Sequence, residues 1–389
     1  MKEYTPHIDP APFRDDPDLL RDLLERRMSR RDLLKAAGAG AGVFALSPLL
    51  AACGGSGSSS GGSSGGATAP IRFVFAPDPV WNWLETKGII SEMEAASGYH
   101  IARNESEDEF AFFAGGHADI VSVGSYETPV LEKETGVKTV TFGKYNMAKD
   151  IIVVAPDKPY TTIGDLPKGS KVGVESFEGS SLIWIAIAKS KYGRTLSEKP
   201  GDLQMVVTDF SVSPELVIKG QLTAGVTSYQ NAGQYLMEDK VKPLWDGKSA
   251  SQLFGEFIVP GHEGVMSNNF VSTKTYYDAH PKEVAFFLSV WQRGVEEWYA
   301  HMPEIVKASP EDFGFKTTAQ YDWILNWLNT HFDEFVHSVY MDEKWITGEQ
   351  GVTKLLRDAG QIPASQADPF YVGIDSKTGT QTVSVPTGA

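Results

Sequence analysis

A single cysteine, Cys53, stands in 389 residues. Intramolecular disulfides, Cys-based zinc sites and thiol redox pairs are therefore excluded, and the fold must be held by its core. Basic charge is also scarce: 35 Lys and Arg face 50 Asp and Glu, a formal net charge of −15, which does not fit a nucleic-acid surface. Residues 1–53 carry eight charges of each sign, so the whole acidic excess falls on the remainder. Beyond that segment no apolar run approaches membrane-spanning length, so the body is expected to be soluble. Outside the Gly/Ser run of residues 54–66 the chain has no GxSxG elbow, and it also lacks a P-loop, a GxGxxG after its first strand and an HExxH motif. His262-Glu263 and Glu296-Glu297 have no partners at metal or acid/base spacing. No enzyme activity, cofactor or metal ion is expected, and Asp78 with Glu178 is the nearest approach to an acid/base pair.

The most informative stretch runs from Ser29 to Cys53: a basic start, a weakly apolar segment over 36–52, and small residues at its end. The apolar part is short for a span and is diluted by Gly38, Gly40, Gly42 and Pro48. SRRDLLK resembles the twin-arginine export signal, with Arg30 and Arg31 as the pair and Leu33 where Phe is usual. Leu50-Ala51-Ala52-Cys53 resembles the bacterial lipobox, which implies diacylglycerol on Cys53 and an extracytoplasmic, lipid-anchored protein. Translation from Met1 or from Met28 would give a complete signal. Behind the cysteine, Gly54 to Gly66 is almost wholly Gly and Ser, a flexible tether in composition.

From about Pro70 onward the pattern is α/β. Strands are expected over 71–76, 118–123, 137–142 and 150–155, and again over 171–174, 203–208, 224–227 and 242–244, with helices at 107–114, 128–134 and 179–191. Such alternation argues for mainly parallel sheets with helices on their faces. The segments Gly116–Ile120 and Gly220–Ala224 echo each other between a helix and a strand, which suggests two similar lobes. The last third is helical: Pro281 opens a helix with Val284, Phe287, Leu288, Trp291, Val295 and Trp298 on one stripe, and Ile324, Trp327, Leu328 and Phe335 mark another.

Several of these stretches together resemble the type II periplasmic binding protein fold, and within it the nitrate, sulfonate and taurine type of solute-binding protein. They are Gly116–Ser125, Asp165–Val174, the Gly179-Ser180-Ser181 helix start, Gly220–Tyr229 and the helix after His280-Pro281. The resemblance implies an α/β, two-lobed fold with a ligand cleft between lobes. Carried onto this chain it divides residues 1–53 (extension and signal), 54–69 (tether), 70–154 with 263–375 (lobe I), 155–262 (lobe II) and 376–389 (polar tail). Asp150–Asp157 would be the first crossover and Glu256–Asn268 the return. Thr223 departs from the acidic residue the family commonly shows there, the counterpart of Asp119 in the first lobe. The implied function is solute capture by cleft closure, as a monomer, for an ABC permease and its ATPase. A ligand sensor for a membrane kinase, or an extracellular enzyme on a binding-protein scaffold, are the alternatives.

Ligands of open α/β sheets gather outside the carboxyl ends of the strands. That rule selects four loops, and from them Asp78, Trp81, Gly124, Ser125, Tyr126, Glu178, Gly179, Ser180, Ser181, Thr227 and Tyr229 as the candidate ligand-binding residues. Gly179-Ser180-Ser181 at a helix start suits an anionic oxygen, or is an ordinary cap. Trp81, Tyr126 and Tyr229 could form apolar walls. The loops hold no arginine, which disfavours a multiply charged anion, while Asp78, Glu127, Glu175 and Glu178 could face a cationic or heterocyclic solute. Lys149 and Asp150 could pair with each other.

Overall fold

The computed structural model describes residues 69–106, 109–177 and 179–386. The expected signal with Arg30, Arg31 and Cys53, nearly all of the tether, and Glu178 lie outside the described residues. Two mixed sheets form the body. The first has seven strands: β1 (Ile71–Phe75), β2 (Ile101–Glu105), β3 (Ile120–Val123), β4 (Thr139–Met147), β11 (Met266–Thr273), β12 (Phe370–Ile374) and β13 (Gln381–Val385), in the order β13-β12-β4-β11-β3-β1-β2. The second has six: β5 (Asp150–Val154), β6 (Ser170–Val174), β7 (Leu196–Ser197), β8 (Leu203–Val207), β9 (Ala224–Ser228) and β10 (Lys242–Pro243), in the order β10-β5-β9-β6-β8-β7. In each, a parallel core (β3-β1-β2; β9-β6-β8-β7) is continued by an antiparallel strand delivered from the other half of the chain.

The echo between the lobes is structural. Gly116 and Gly220 each leave a helix at positive φ, 75° and 69°, a conformation that favours glycine. Three residues on, Asp119 N–H donates to Arg72 O and Thr223 N–H to Lys171 O, at 2.8 and 2.9 Å. Asp119 also grips the Arg72 guanidinium at 2.6 Å, a clamp that Thr223 does not repeat.

The first core is aromatic. Helix α1 (Pro79–Thr86) starts where Pro79 presets φ and Asp78 caps it, and it buries Trp81 against Trp291 of α10 (Pro281–Ala308), centroid to centroid 5.1 Å. Trp291 also meets Tyr145 at 4.2 Å and Phe270 at 5.1 Å. All six residues of the expected α10 stripe are buried; the helix breaks at His301, just before the internal Pro303.

Three boundaries differ from expectation. Asp150–Val154 is a strand as expected, but of the second sheet rather than the end of lobe I and the start of the crossover, so the chain changes sheet at Ala148-Lys149. An apolar strand and an apolar crossover read alike in one dimension. Residues 381–385 of the expected polar tail form edge strand β13 on β12, where half-exposed polar residues suffice. Phe335 lies beyond helix α11 (Thr318–Thr330), in a segment that bridges Asn146.

Ala148 of the first crossover is held on both sides: its N–H donates to Val265 O of the return crossover at 2.9 Å, and its carbonyl accepts from Ser251 N–H, in the helix Ala250–Phe257, at 3.2 Å. A third segment joins them, since Met147 N–H donates to Glu334 O at 2.9 Å. Helix α11 packs on α7 (Tyr229–Met237) of the second lobe, with Trp327 over Tyr229. One apolar cluster consequently runs from Phe73 and Trp291 through Trp327 to Tyr229 and Ile151, continuous across both sheets.

Candidate functional site

A cavity of about 500 Å3 opens between the sheets, beside the crossovers. Its walls come from the carboxyl ends of parallel strands: Tyr126 after β3, Glu175 and Ser180 after β6, Phe210 after β8 and Ser228 at the end of β9. The crossover adds Ala148, Lys149 and Asp150, and Ser267 of β11 lies beside them. Gln230 and Asn231 of α7 and a loop with Glu311, Asp312 and Gly314 close the remaining side. The volume is that of a small organic molecule.

Asp150 is the buried charge of this wall, 7% exposed. It takes a hydrogen bond from Ser180, and burial followed by the charge of Glu175 pushes its carboxyl up to about 7. Lys149 does not pair with it as expected; its Nζ lies 3.1 Å from Glu334 Oε1. Glu334 Oε2 takes the Tyr229 hydroxyl at 2.5 Å.

Of the expected ligand residues, Tyr126 and Ser180 line the cavity. The others described are employed elsewhere. Trp81 is 1% exposed in the aromatic core, with its indole N–H on Glu85. Asp78 caps α1 through the Val80 and Trp81 amides, both at 2.9 Å, and takes the Tyr145 hydroxyl at 2.8 Å; burial raises its carboxyl to about 6. Tyr229 is buried against Trp327 and Phe332. Thr227 donates to Phe210 O, and Ser181 to Ser176 O. Gly124 N–H is taken by Glu127, and a Cβ on Gly124 would meet the Tyr126 ring at 2.9 Å. Gly179, at φ 65°, turns the chain into α5 (Ser181–Tyr192).

Ser125 is the clearest correction. It is 1% exposed and donates to Glu349 Oε1 at 2.8 Å, while Met266 N–H and Asn269 Nδ2 donate to its Oγ. Glu349 comes from helix α12 (Glu343–Asp358), and burial raises its carboxyl to about 7. A loop serine that reads as a ligand donor is thus sealed by a helix 224 residues away.

Phe210, Gln230, Asn231, Ser267, Glu311 and Asp312 were not anticipated. The strand-end rule applied to Leu203–Val207 would have found Phe210. No local pattern marks the residue 311–314 loop, which arrives from the helical third. Among the described residues no group of three or more His, Cys, Asp or Glu is placed to hold a metal ion, and no helix is long and apolar enough to cross a membrane.

Two sheets joined by paired crossovers, with a cavity between them at the strand ends, define the architecture of a two-lobed periplasmic binding protein. Solved structures share it. The aliphatic sulphonate binding protein SsuA of Escherichia coli matches with TM-score 0.60 and 14% identity, over 77% of this chain and 90% of that one. The alkanesulfonate-binding SsuA of Xanthomonas axonopodis pv. citri, bound to MOPS, gives 0.58 and 13%, over 78% and 97%. The Candida albicans CA3427 product, described as having the generic periplasmic binding protein fold, gives 0.52 and 12%, over 76% and 91%. At such identities the likeness concerns the fold. No curated protein matches the chain by sequence. The family described as NMT1/THI5 like matches residues 100–305, more than half of the chain, and the chain belongs to that family.

Proposed function

We propose that this protein is the extracytoplasmic solute-binding component of an ABC importer, acting as a monomer that holds a small organic solute between its lobes and presents it to a permease. The observation that carries the reading is the cavity at the strand ends, walled by both sheets and by the crossover between them. Cleft closure needs no chemistry: a solute that contacts both lobes binds the closed form better and shifts the population toward it. Relatives of this fold named for sulfonates, and the family to which the chain belongs, support such a role. The Ser29–Cys53 segment supports export through Arg30 and Arg31 and lipid attachment at Cys53.

A thermal-shift screen of the full chain in detergent, against sulfonates, carboxylates, amino acids and amines, tests the reading. A saturable rise in melting temperature, with the compound recovered unchanged, is expected. Chemical conversion of the bound compound would replace the receptor with an enzyme. Stimulation of a permease-ATPase complex by the loaded protein separates an importer from a sensor.

A further inference from the structure

Resting on the solute-binding reading, we infer that the cavity takes a small organic nitrogen cation carrying N–H donors, a protonated amine or guanidine, with Asp150 as its anchoring carboxylate. Asp150 is more than nine-tenths buried in the cavity wall, and the hydrogen bond it takes from Ser180 uses a fraction of what two carboxylate oxygens can accept. A buried charge with unspent acceptors is costly unless something pairs it. Gln230 and Asn231 lie in the same wall, and the amide side chains of both can accept N–H donors.

The surrounding charge points the same way. Glu311 and Asp312 stand exposed on the loop across from Asp150, and Glu175 at the strand end is a further carboxylate. Against these four acids the described lining offers one cation, Lys149, and Glu334 already holds it at 3.1 Å. No arginine lines the cavity among the described residues, so the bidentate partner that a sulfonate would use is missing. Tyr126 and Phe210 supply aromatic surface, which favours an organic cation through its carbon frame and through ring faces. A bare metal ion fits less well, because no cluster of metal-ligating side chains stands among the described residues. The cleft is thus charged opposite to what the solutes named for similar structures demand.

The full chain in detergent is titrated by calorimetry with butylamine, putrescine and agmatine, with 1,4-butanediol as neutral control and ethanesulfonate and butanesulfonate as anions. Saturable binding of at least one amine, weakened by added salt, is expected, with no binding of diol or sulfonates. Asp150→Asn should weaken the amine tenfold or more without lowering the melting temperature of the unliganded protein at pH 7.5. Asp312→Asn, at the exposed mouth, should weaken it severalfold and serves as the test if Asp150→Asn does not fold. Sulfonate or diol binding without amine binding overturns the cation assignment and leaves the solute-binding reading standing. Unchanged amine affinity in both variants overturns it as well. Binding of no probe at millimolar concentration overturns the cation assignment, while the solute-binding reading stands or falls with the wider thermal-shift screen.

Discussion

The Tyr229 hydroxyl donates to Glu334 at 2.5 Å, and the other oxygen of the same carboxylate holds Lys149 at 3.1 Å. One buried acid thereby ties the second lobe, through α7, to the crossover and to the segment that hydrogen-bonds Met147. Tyr229→Phe removes the phenolic donor and leaves a buried carboxylate oxygen without it. A hydrogen bond to a charged group contributes about 1.5–3 kcal/mol, so the unfolding free energy should fall by that amount, read as a lower urea midpoint at constant slope. An unchanged midpoint would remove Glu334 from the hinge.

Ser125 and Asp150 should separate cleanly. Ser125→Ala leaves Glu349, Asn269 and the Met266 amide short of a partner, which costs about 1–3 kcal/mol. Solute affinity should stay within about twofold, because Ser125 is sealed from the cavity. A variant of normal stability that has lost its solute would return Ser125 to the binding site.

Stability should decline from mildly acid to mildly alkaline pH at three buried carboxyls. Asp150 and Glu349 are raised to about 7 and Asp78 to about 6, each chiefly by burial. Between about pH 4, where an unfolded carboxyl loses its proton, and these values the native state keeps protons that the unfolded state has released. The stabilisation present below pH 4 is therefore lost as pH rises toward 7. Asp150→Asn deletes its share, so the variant should gain on the parent by on the order of a few kcal/mol between pH 4 and pH 8. Denaturant melts across that range give the sign directly; a difference that does not move with pH refutes the shift. Glu175 and Ser180 face Asp150 and Lys149 lies beside it in sequence, so the Glu175→Gln background is the proper control.

Trp327 should behave as a core residue of both lobes. It stacks on Trp323 at 5.0 Å and His331 at 4.3 Å and faces Tyr229 at 6.5 Å, while 5% exposed. Trp327→Ala should cost about 3–5 kcal/mol. Because the cluster is continuous across the sheets, near-UV circular dichroism should show a single melting transition in the variant, as in the parent. Two transitions would mean that the lobes melt separately and that α11 does not couple them.

Much of the fold was legible because strand and helix signals are local. Ile71–Phe75 is an unbroken apolar run, and the stripe from Val284 to Trp298 keeps helical spacing; both are buried where the pattern put them. The edge strand Gln381–Val385 was not legible, since an exposed edge imposes no alternation. Within the site, the strand-end rule led to Tyr126 and Ser180 but also to Trp81 and Tyr229. Those two rings carry no sign of the helices α10 and α11 that cover them.

The sequence by itself determined the α/β class, the doubling of the lobes and, through its single cysteine, the absence of intramolecular disulfides, because each depends on composition or on spacing within a few residues. Tertiary structure alone decided which loop residues face the cavity. Ser125 is sealed by Glu349, Lys149 is claimed by Glu334, and Asp150 is left as a buried carboxylate, through contacts that reach as far as 224 residues along the chain. Burial and pairing are properties of the neighbours a side chain acquires on folding, and those neighbours come from helices whose own sequence records only that they are apolar on one face.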